Sequence, residues 1–221
     1  MKKIYLFIPI LLLVFQSYSQ ELITETGINF TSFEFTNSQG ESLDNLQPKT
    51  KSFLAMGYRH NIVNQVLYLY GGISLNQYGA IGSDDLVGNY FEWDTSYLGV
   101  HFNVDVKVLN ANKFTLLLRA GTAAEFMLQG TQTLNNQVFD LKGQEEFKDT
   151  TMFFRGGIIF QYQASQNIAV FTQYSYGKSS ENGNSQKLKY QSSSIGVGLA
   201  FSLSNGKSET KDTDNNTEEN N

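Results

Sequence analysis

The 221-residue sequence contains no cysteine, two prolines and two histidines. Without cysteine, the chain has no disulfide bonds, no thiolate metal sites and no N-terminal cysteine for lipid attachment. Few prolines combined with 19 glycines, 17 phenylalanines and 12 tyrosines favour many strands joined by turns. The net charge of −5 and the lack of a basic stripe argue against nucleic acid as a partner.

The apolar run at residues 4–15 is too short to span a bilayer comfortably and follows two lysines. Small residues, Ser17 and Ser19, then occupy the two positions that signal peptidase reads. We therefore predict a signal peptide at residues 1–19, with an N-terminal anchor helix as the alternative. Residues 205–221 contain no apolar residue and more acidic than basic ones, which predicts a disordered acidic periplasmic tail. The folded domain is then residues 20–204.

Eight segments alternate between apolar and polar residues, and most are about twice the usual strand length of about 5–6 residues. They are residues 24–35, 52–60, 66–78, 93–108, 113–128, 150–163, 168–177 and 190–203. Tight connections (60–65, 110–112, 164–167) alternate with long polar ones (36–51, 79–92, 129–149, 177–188). Outer-membrane barrels have short periplasmic turns and long outer loops. The pattern predicts an all-β, eight-stranded, antiparallel, up-and-down transmembrane β-barrel in the outer membrane, with both termini periplasmic.

Residues 96–109 show which face meets lipid. Leu98, Val100 and Phe102 belong to an uninterrupted apolar face, whereas Tyr97 and His101 lie on the polar or small one. An eight-stranded barrel encloses just enough space for side chains, so large apolar residues from every strand would overfill it. The apolar face is therefore predicted to point outward to lipid, which leaves glycines, tyrosines and charges inside.

Outward aromatic residues should gather at the two membrane interfaces. Those predicted to lie there are Tyr58, Tyr162 and Phe201 at the periplasmic side, and Trp93, Phe126, Phe154, Tyr174 and Tyr176 at the outer side. In the first strand Ile28 and Phe30 share one parity, but Phe33 and Phe35 take the other. A bulge near Ser32 is predicted to reconcile them.

The three arginines of the chain all lie on the inward parity. The predicted polar cluster of the lumen consists of Arg59, His101, Asp105, Arg119, Glu125 and Arg155. A three-residue turn at 110–112 would place Asn103 opposite Arg119 and Asp105 one pair along, so Asp105 is the predicted partner of Arg119. Glu125 is the predicted partner of Arg155. A satisfied polar core is the favoured interpretation, and an ion path is the alternative.

No pattern of catalytic or metal-binding residues is present. His60 lies at a predicted turn, and His101 is interpreted as a packed, hydrogen-bonded lumen residue rather than a base. Acidic residues of the predicted long connections match no calcium loop and are read as solvated; they are Asp84, Asp85, Glu145, Glu146 and Asp149. We expect no enzyme activity, cofactor or metal.

Four stretches carry a resemblance to a known family. They are GYRHNIVNQVLYLYGGISLNQYG (57–79), YLGVHFNVDVKV (97–108), LRAGTAAEFMLQG (118–130) and VFTQYSYG (170–177). With them, residues 22–203 resemble the small outer-membrane β-barrel proteins common in Bacteroidota, often called PorT-like. The resemblance implies an eight-stranded barrel that the outer-membrane assembly machinery inserts into lipid, without catalytic residues. Some relatives assist protein secretion, and the acidic tail departs from the family, whose barrels usually end at the last strand.

The expected function is therefore non-enzymatic: a surface scaffold or accessory protein whose loops or tail contact another protein. Two alternatives remain open at this point. One is a narrow passive channel through the lumen, and the other is a soluble lipocalin-like carrier.

Overall fold

The computed structural model describes residues 20–36, 38–40, 42, 46–84, 89–148, 150–183 and 186–203. The predicted signal peptide and acidic tail lie outside the described residues, as do Asp85 and Asp149. The strands are β1 (Gln20–Thr36), β2 (Leu46–Val63), β3 (Leu67–Asp84), β4 (Asn89–Ala111), β5 (Phe114–Leu134), β6 (Gln137–Asp140), β7 (Thr151–Gln163), β8 (Ile168–Ser179) and β9 (Lys187–Ser202). A short helix, α1 (Glu145–Lys148), precedes β7. The described part of the chain has no helix long and apolar enough to cross a membrane.

Eight of the strands form a closed antiparallel ring. Each pairs with its neighbours along the chain, and β1 closes the ring with β9 from Glu21↔Ser202 to Thr36↔Lys187. β6 pairs with β5 and stands outside the ring order. The predicted eight-stranded up-and-down transmembrane barrel is confirmed, while β6 and α1 lie in a connection that was predicted to be a loop.

The strands are joined by short turns at one end of the ring, here called the turn end, and by long connections at the other, the loop end. The short turns lie at residues 64–66, 112–113 and 164–167. Asn64 and Asn112 have positive φ angles of 42° and 54°, which asparagine tolerates better than most residues. At the loop end the strands extend into the predicted loops, so that β4 has 23 residues.

Burial alternates along each strand as the sequence predicts. Val100 is 53% exposed on the outside, whereas His101, the next residue, is 8% exposed on the inside. The paired glycines Gly57 and Gly72 show how tightly the interior is packed. A Cβ on Gly72 would overlap the backbone oxygen of Met56 and lie 2.9 Å from Nε2 of His101. The apolar residues therefore form the lipid-facing band, and small residues make room inside.

Two predicted orientations are wrong. β1 keeps an unbroken register with β9 through Ser32, so no bulge is present and Phe33 points inward. Trp93 shares the inward parity of Tyr97 and is buried rather than facing the membrane interface. Both side chains pack instead into a hydrophobic cluster at the loop end of the lumen. The other predicted outward aromatics lie on the outer surface.

Candidate functional site: the barrel interior and the loop-end hairpin

The loop end of the lumen is filled by a cluster that we call the aromatic layer. Its members are Phe33, Tyr78, Ala80, Trp93, Tyr97, Ala123, Leu141, Phe147, Phe153, Leu188 and Tyr190. The hydroxyl oxygens of Tyr97 and Tyr190 are 2.8 Å apart, and the ring centroids of Phe33 and Tyr190 are 4.7 Å apart. Helix α1 contributes Phe147 to this layer. The long connection between β5 and β7 therefore packs into the barrel mouth instead of leaving it open.

A second apolar layer fills the turn end. It consists of Ile23, Tyr68, Tyr70, Leu117, Ile159, Ala169, Phe171 and Ala200. Cations from the lumen lie over its tyrosine rings, with Arg119 4.4 Å from the Tyr70 centroid and Lys107 5.5 Å from the Tyr68 centroid. The charged residues of the lumen thus lie mainly between two hydrophobic layers.

Asp105 and Arg119 form the central ion pair. Nε and Nη2 of Arg119 donate to the two carboxylate oxygens of Asp105 at 2.7 and 2.8 Å. The two residues face each other directly, so the predicted register, with Asn103 opposite Arg119, is wrong. β4 runs on to Ala111, the turn has two residues, and the ladder shifts between Lys107 and Leu109. These differences bring Asp105 level with its arginine.

Arg119 and Arg59 extend this pair across the lumen. Nη1 of Arg119 donates to Glu25 at 3.2 Å, and Nη1 of Arg59 lies 3.7 Å from Asp105. Arg59 also donates to Glu21 at 2.5 Å and to Gln161 at 2.8 Å. These contacts join the walls contributed by β1, β2, β4, β5 and β7.

Glu125 and Arg155 form a separate group beneath the aromatic layer. Nη2 of Arg155 donates to Oε1 of Glu125 and to the hydroxyl of Tyr78, both at 2.6 Å. The carboxylate also accepts hydrogen bonds from Asn76 and Tyr78 at 2.8–3.0 Å. Glu125 is fully buried, and its partners supply the donors that a buried carboxylate requires.

His101 lies between the two ion-pair groups. Its ring centroid is 4.8 Å from that of Tyr70. It borders a central polar cavity of about 60 Å³, to which Glu25, Arg119 and Arg155 also contribute. A polar cavity of this size accommodates a few water molecules rather than an organic substrate.

The six predicted cluster residues all point into the lumen, but they form two groups with His101 between them. Within the described residues, no three histidine, aspartate or glutamate side chains are arranged to hold a metal ion. The filled layers disfavour a narrow passive channel. The outward apolar band disfavours a soluble lipocalin-like carrier, because such a protein buries that face. The interior consists of two apolar layers and, mainly between them, ion pairs that link the strands. The buried Nε2 of His101 and the hydroxyl of Tyr70 have no hydrogen-bond partner among the described residues, so the predicted satisfied polar core is found only in part.

Among the described residues of the loop end, the end of β5 and β6 form an exposed hairpin. Asn135 and Asn136 have φ angles of 48° and 67°, as a two-residue hairpin turn requires. Val138 is 66% exposed and Phe139 is 45% exposed, although both lie beyond the apolar band of β5, which ends at Leu128. This hairpin was not predicted because β6 has four residues, but the Asn135-Asn136 pair was an available signal, since asparagine tolerates positive φ in turns.

Comparison with solved structures identifies barrels of the same architecture. The outer membrane protein OprG from Pseudomonas aeruginosa superposes with a TM-score of 0.53 at 9% identity, covering 85% of this chain and 98% of OprG. Neisserial surface protein A has a TM-score of 0.48 at 10% identity, with 82% and 97% covered. The outer membrane protease OmpT from Escherichia coli has a TM-score of 0.48 at 7% identity, with 84% and 97% covered. The sequence matches no protein-family model and no curated protein.

The chain has the fold of an outer-membrane β-barrel. At 9% identity, the likeness to OprG shows the fold alone.

A group of charged residues lies on the outer surface of the barrel, on the loop-end side of the lipid-facing band. Lys49 donates to Asp94 at 2.9 Å and also contacts Glu92, and Lys51 contacts Asp94 as well. The lysine stems cross over Gly79, whose missing side chain leaves the space they occupy. Partial burial would raise the pKa of Asp94, but hydrogen bonds from Lys51 and Lys49 outweigh it and lower the pKa. The same carboxylates raise the pKa of Lys49 against the opposing effect of burial.

Proposed function

We propose that this chain is a non-enzymatic protein of the outer membrane, a surface scaffold or accessory protein that binds another protein through its loop end. Its outward apolar band needs a lipid environment. The proposal also includes what the family resemblance implies. The signal peptide at residues 1–19 directs export, the outer-membrane assembly machinery inserts the barrel, and the chain is related to the PorT-like barrels.

In this proposal the loop end faces the cell exterior and both termini are periplasmic. The first and last strands meet at the turn end, where the backbone nitrogen of Leu203 donates to the carbonyl of Gln20 at 2.8 Å. Short turns on the periplasmic side and long connections outside follow the usual arrangement of such barrels. The acidic tail would then lie in the periplasm, away from the partner.

The exposed β5–β6 hairpin is the observation that carries the proposal. Val138 and Phe139 are apolar, lie outside the apolar band and are largely exposed. Exposed apolar side chains outside the membrane have no lipid to contact, and this pair offers a partner protein one apolar side chain on each face of the hairpin. Among the described residues, in contrast, two apolar layers fill the lumen and leave a central cavity of about 60 Å³ between them.

The test is site-specific photo-crosslinking in the cells that make the protein. A photoreactive amino acid replaces Gln137, which is exposed beside the two apolar residues. We expect one discrete protein adduct from this position, and at least a fivefold loss of it when Phe139→Ser is added. The apolar contact is the physical reason for that loss.

Three controls make the result interpretable. The same photoreactive residue at Asn112, at the opposite end of the barrel, should not form this adduct. Val66→Ser removes an equally apolar residue, 48% exposed in a turn at the turn end, and should leave the adduct unchanged. Deletion of residues 205–221 should also leave it unchanged. Absence of a discrete adduct from position 137 would refute the proposed function.

A further inference from the structure

β6 presents an unpaired strand edge to the solvent. Its ladder with β5 runs from Thr131↔Asp140 to Leu134↔Gln137, and β5 is its only partner strand among the described residues. All four of its residues are exposed. A free strand edge displays backbone N–H and C=O groups that another extended chain can bind.

The hairpin geometry identifies the backbone groups on this edge. In a two-residue hairpin the closing pair, Leu134 with Gln137, exchanges hydrogen bonds, and the bonded pairs then alternate along the ladder. The backbone nitrogen of Leu141 donates to the carbonyl of Gly130 at 3.0 Å, which agrees with this phase. The backbone N–H and C=O groups of Val138 and Asp140 therefore point away from β5.

We propose that the partner supplies an extended segment that adds as a further strand to the free edge of β6. This inference rests on the proposed function and specifies the chemistry of recognition. The backbone groups of Val138 and Asp140 form the hydrogen bonds. The side chains of Val138 and Phe139 project to opposite faces of the hairpin, and each contacts apolar residues on its own face of the added strand.

The sequence of β6 leaves this edge open. Proline, lysine and bulges, which commonly block free edges, are absent from β6 (QVFD), although its length of four residues and the charge of Asp140 restrict how much chain can pair with it. An edge of four residues offers few backbone hydrogen bonds. The expected complex is therefore small and reversible rather than permanent.

Proline substitution at Val138 tests the role of the backbone. The N–H of Val138 points away from β5, so proline removes the donor to the partner and keeps the β5–β6 ladder. Val138→Thr is the matched control, because it keeps the N–H and the β-branched shape. We expect Val138→Pro to reduce the adduct from position 137 at least tenfold and Val138→Thr to reduce it less than threefold.

Asp140→Pro is a second variant on the same edge, and it should also reduce the adduct. Barrel folding is checked for each variant by the shift in gel mobility between unheated and heated samples. An unchanged adduct with both proline variants would overturn the strand-addition model while leaving the proposed function intact. Equal loss with proline and threonine would also overturn it, because the side chain would then be the recognised group. An adduct between two copies of this chain would exclude a separate partner.

Discussion

At the scale of single residues, buried charge is the feature on which stability depends most directly. Asp105 is fully buried and accepts two hydrogen bonds from Arg119, with Arg59 close by. Removing one member of such a group leaves the other charges buried without their counter-ion, which is more costly than the pair itself is favourable.

Asp105→Asn should therefore lower the free energy of unfolding by about 3–5 kcal/mol. The measurement is urea-induced unfolding of the barrel in lipid vesicles, followed by tryptophan fluorescence. Glu34→Gln, at an exposed position on the outer surface, serves as the control and should change stability by less than about 1 kcal/mol. Equal stability of the two variants would mean that the interior ion pairs contribute little.

Adjacent glycines of β3 provide a second prediction at this scale. Gly72 points into the packed lumen, where a Cβ would lie 2.6 Å from Cα of Gly57, whereas a Cβ on Gly71 would meet nothing closer than 3.8 Å. Gly72→Ala should destabilise the barrel by about 1–3 kcal/mol through overpacking. Gly71→Ala, with the same change in composition, should be near neutral in the same unfolding experiment. Similar losses at both positions would contradict the inward orientation of Gly72.

At the scale of strands, the group formed by Lys49, Lys51, Glu92 and Asp94 ties β2 to β4 across the outer surface of β3. The lowered pKa of Asp94 means that its contribution is present above the ordinary value of 3.8 and is lost as the pH falls through the lowered value. The pKa of Lys49 is shifted upward instead, so the stabilisation that its ion pairs provide is present at neutral pH and is lost only at strongly alkaline pH.

The stability difference between the wild type and Asp94→Asn should therefore be constant from neutral pH to about pH 5 and should shrink below that. Unfolding midpoints measured across this pH range test the prediction. In a Lys49→Met, Lys51→Met background, Asp94→Asn should have a much smaller effect, because the partners of the carboxylate are absent. A difference that grew on acidification would show that the sign of the pKa shift is wrong.

The strands also show how much of the fold can be predicted from sequence patterns. Each of the eight ring strands was recognisable from its alternation, because an inward and an outward environment select residues with a period of two. Their ends were not recognisable, because β3 and β4 continue beyond the membrane into segments with polar outward residues, such as Gln77 and Asp94. β6 was missed because four residues provide too few alternations to stand out from a polar connection.

At the scale of the whole molecule, the lumen is closed by two layers of side chains with a cavity of about 60 Å³ between them. The purified barrel should therefore produce no stepwise ionic current in a planar lipid bilayer. The double variant Tyr97→Ala, Tyr190→Ala removes the hydroxyl contact in the aromatic layer. It is the variant in which ionic current through a partly opened lumen should be sought. Regular stepwise openings of the wild type would support a channel and contradict the filled lumen.

The sequence alone determined the number of ring strands, their antiparallel order, the alternation of short and long connections, and the outward direction of the apolar face. These properties follow from local periodicity and from the limited volume inside eight strands. The tertiary structure decided the register at Asp105 and Arg119, the inward positions of Phe33 and Trp93, and the projection of β6. Each depends on contacts between residues far apart in the chain: a single ladder shift changes which charges meet, and packing against residues of other strands decides which aromatic rings lie inside.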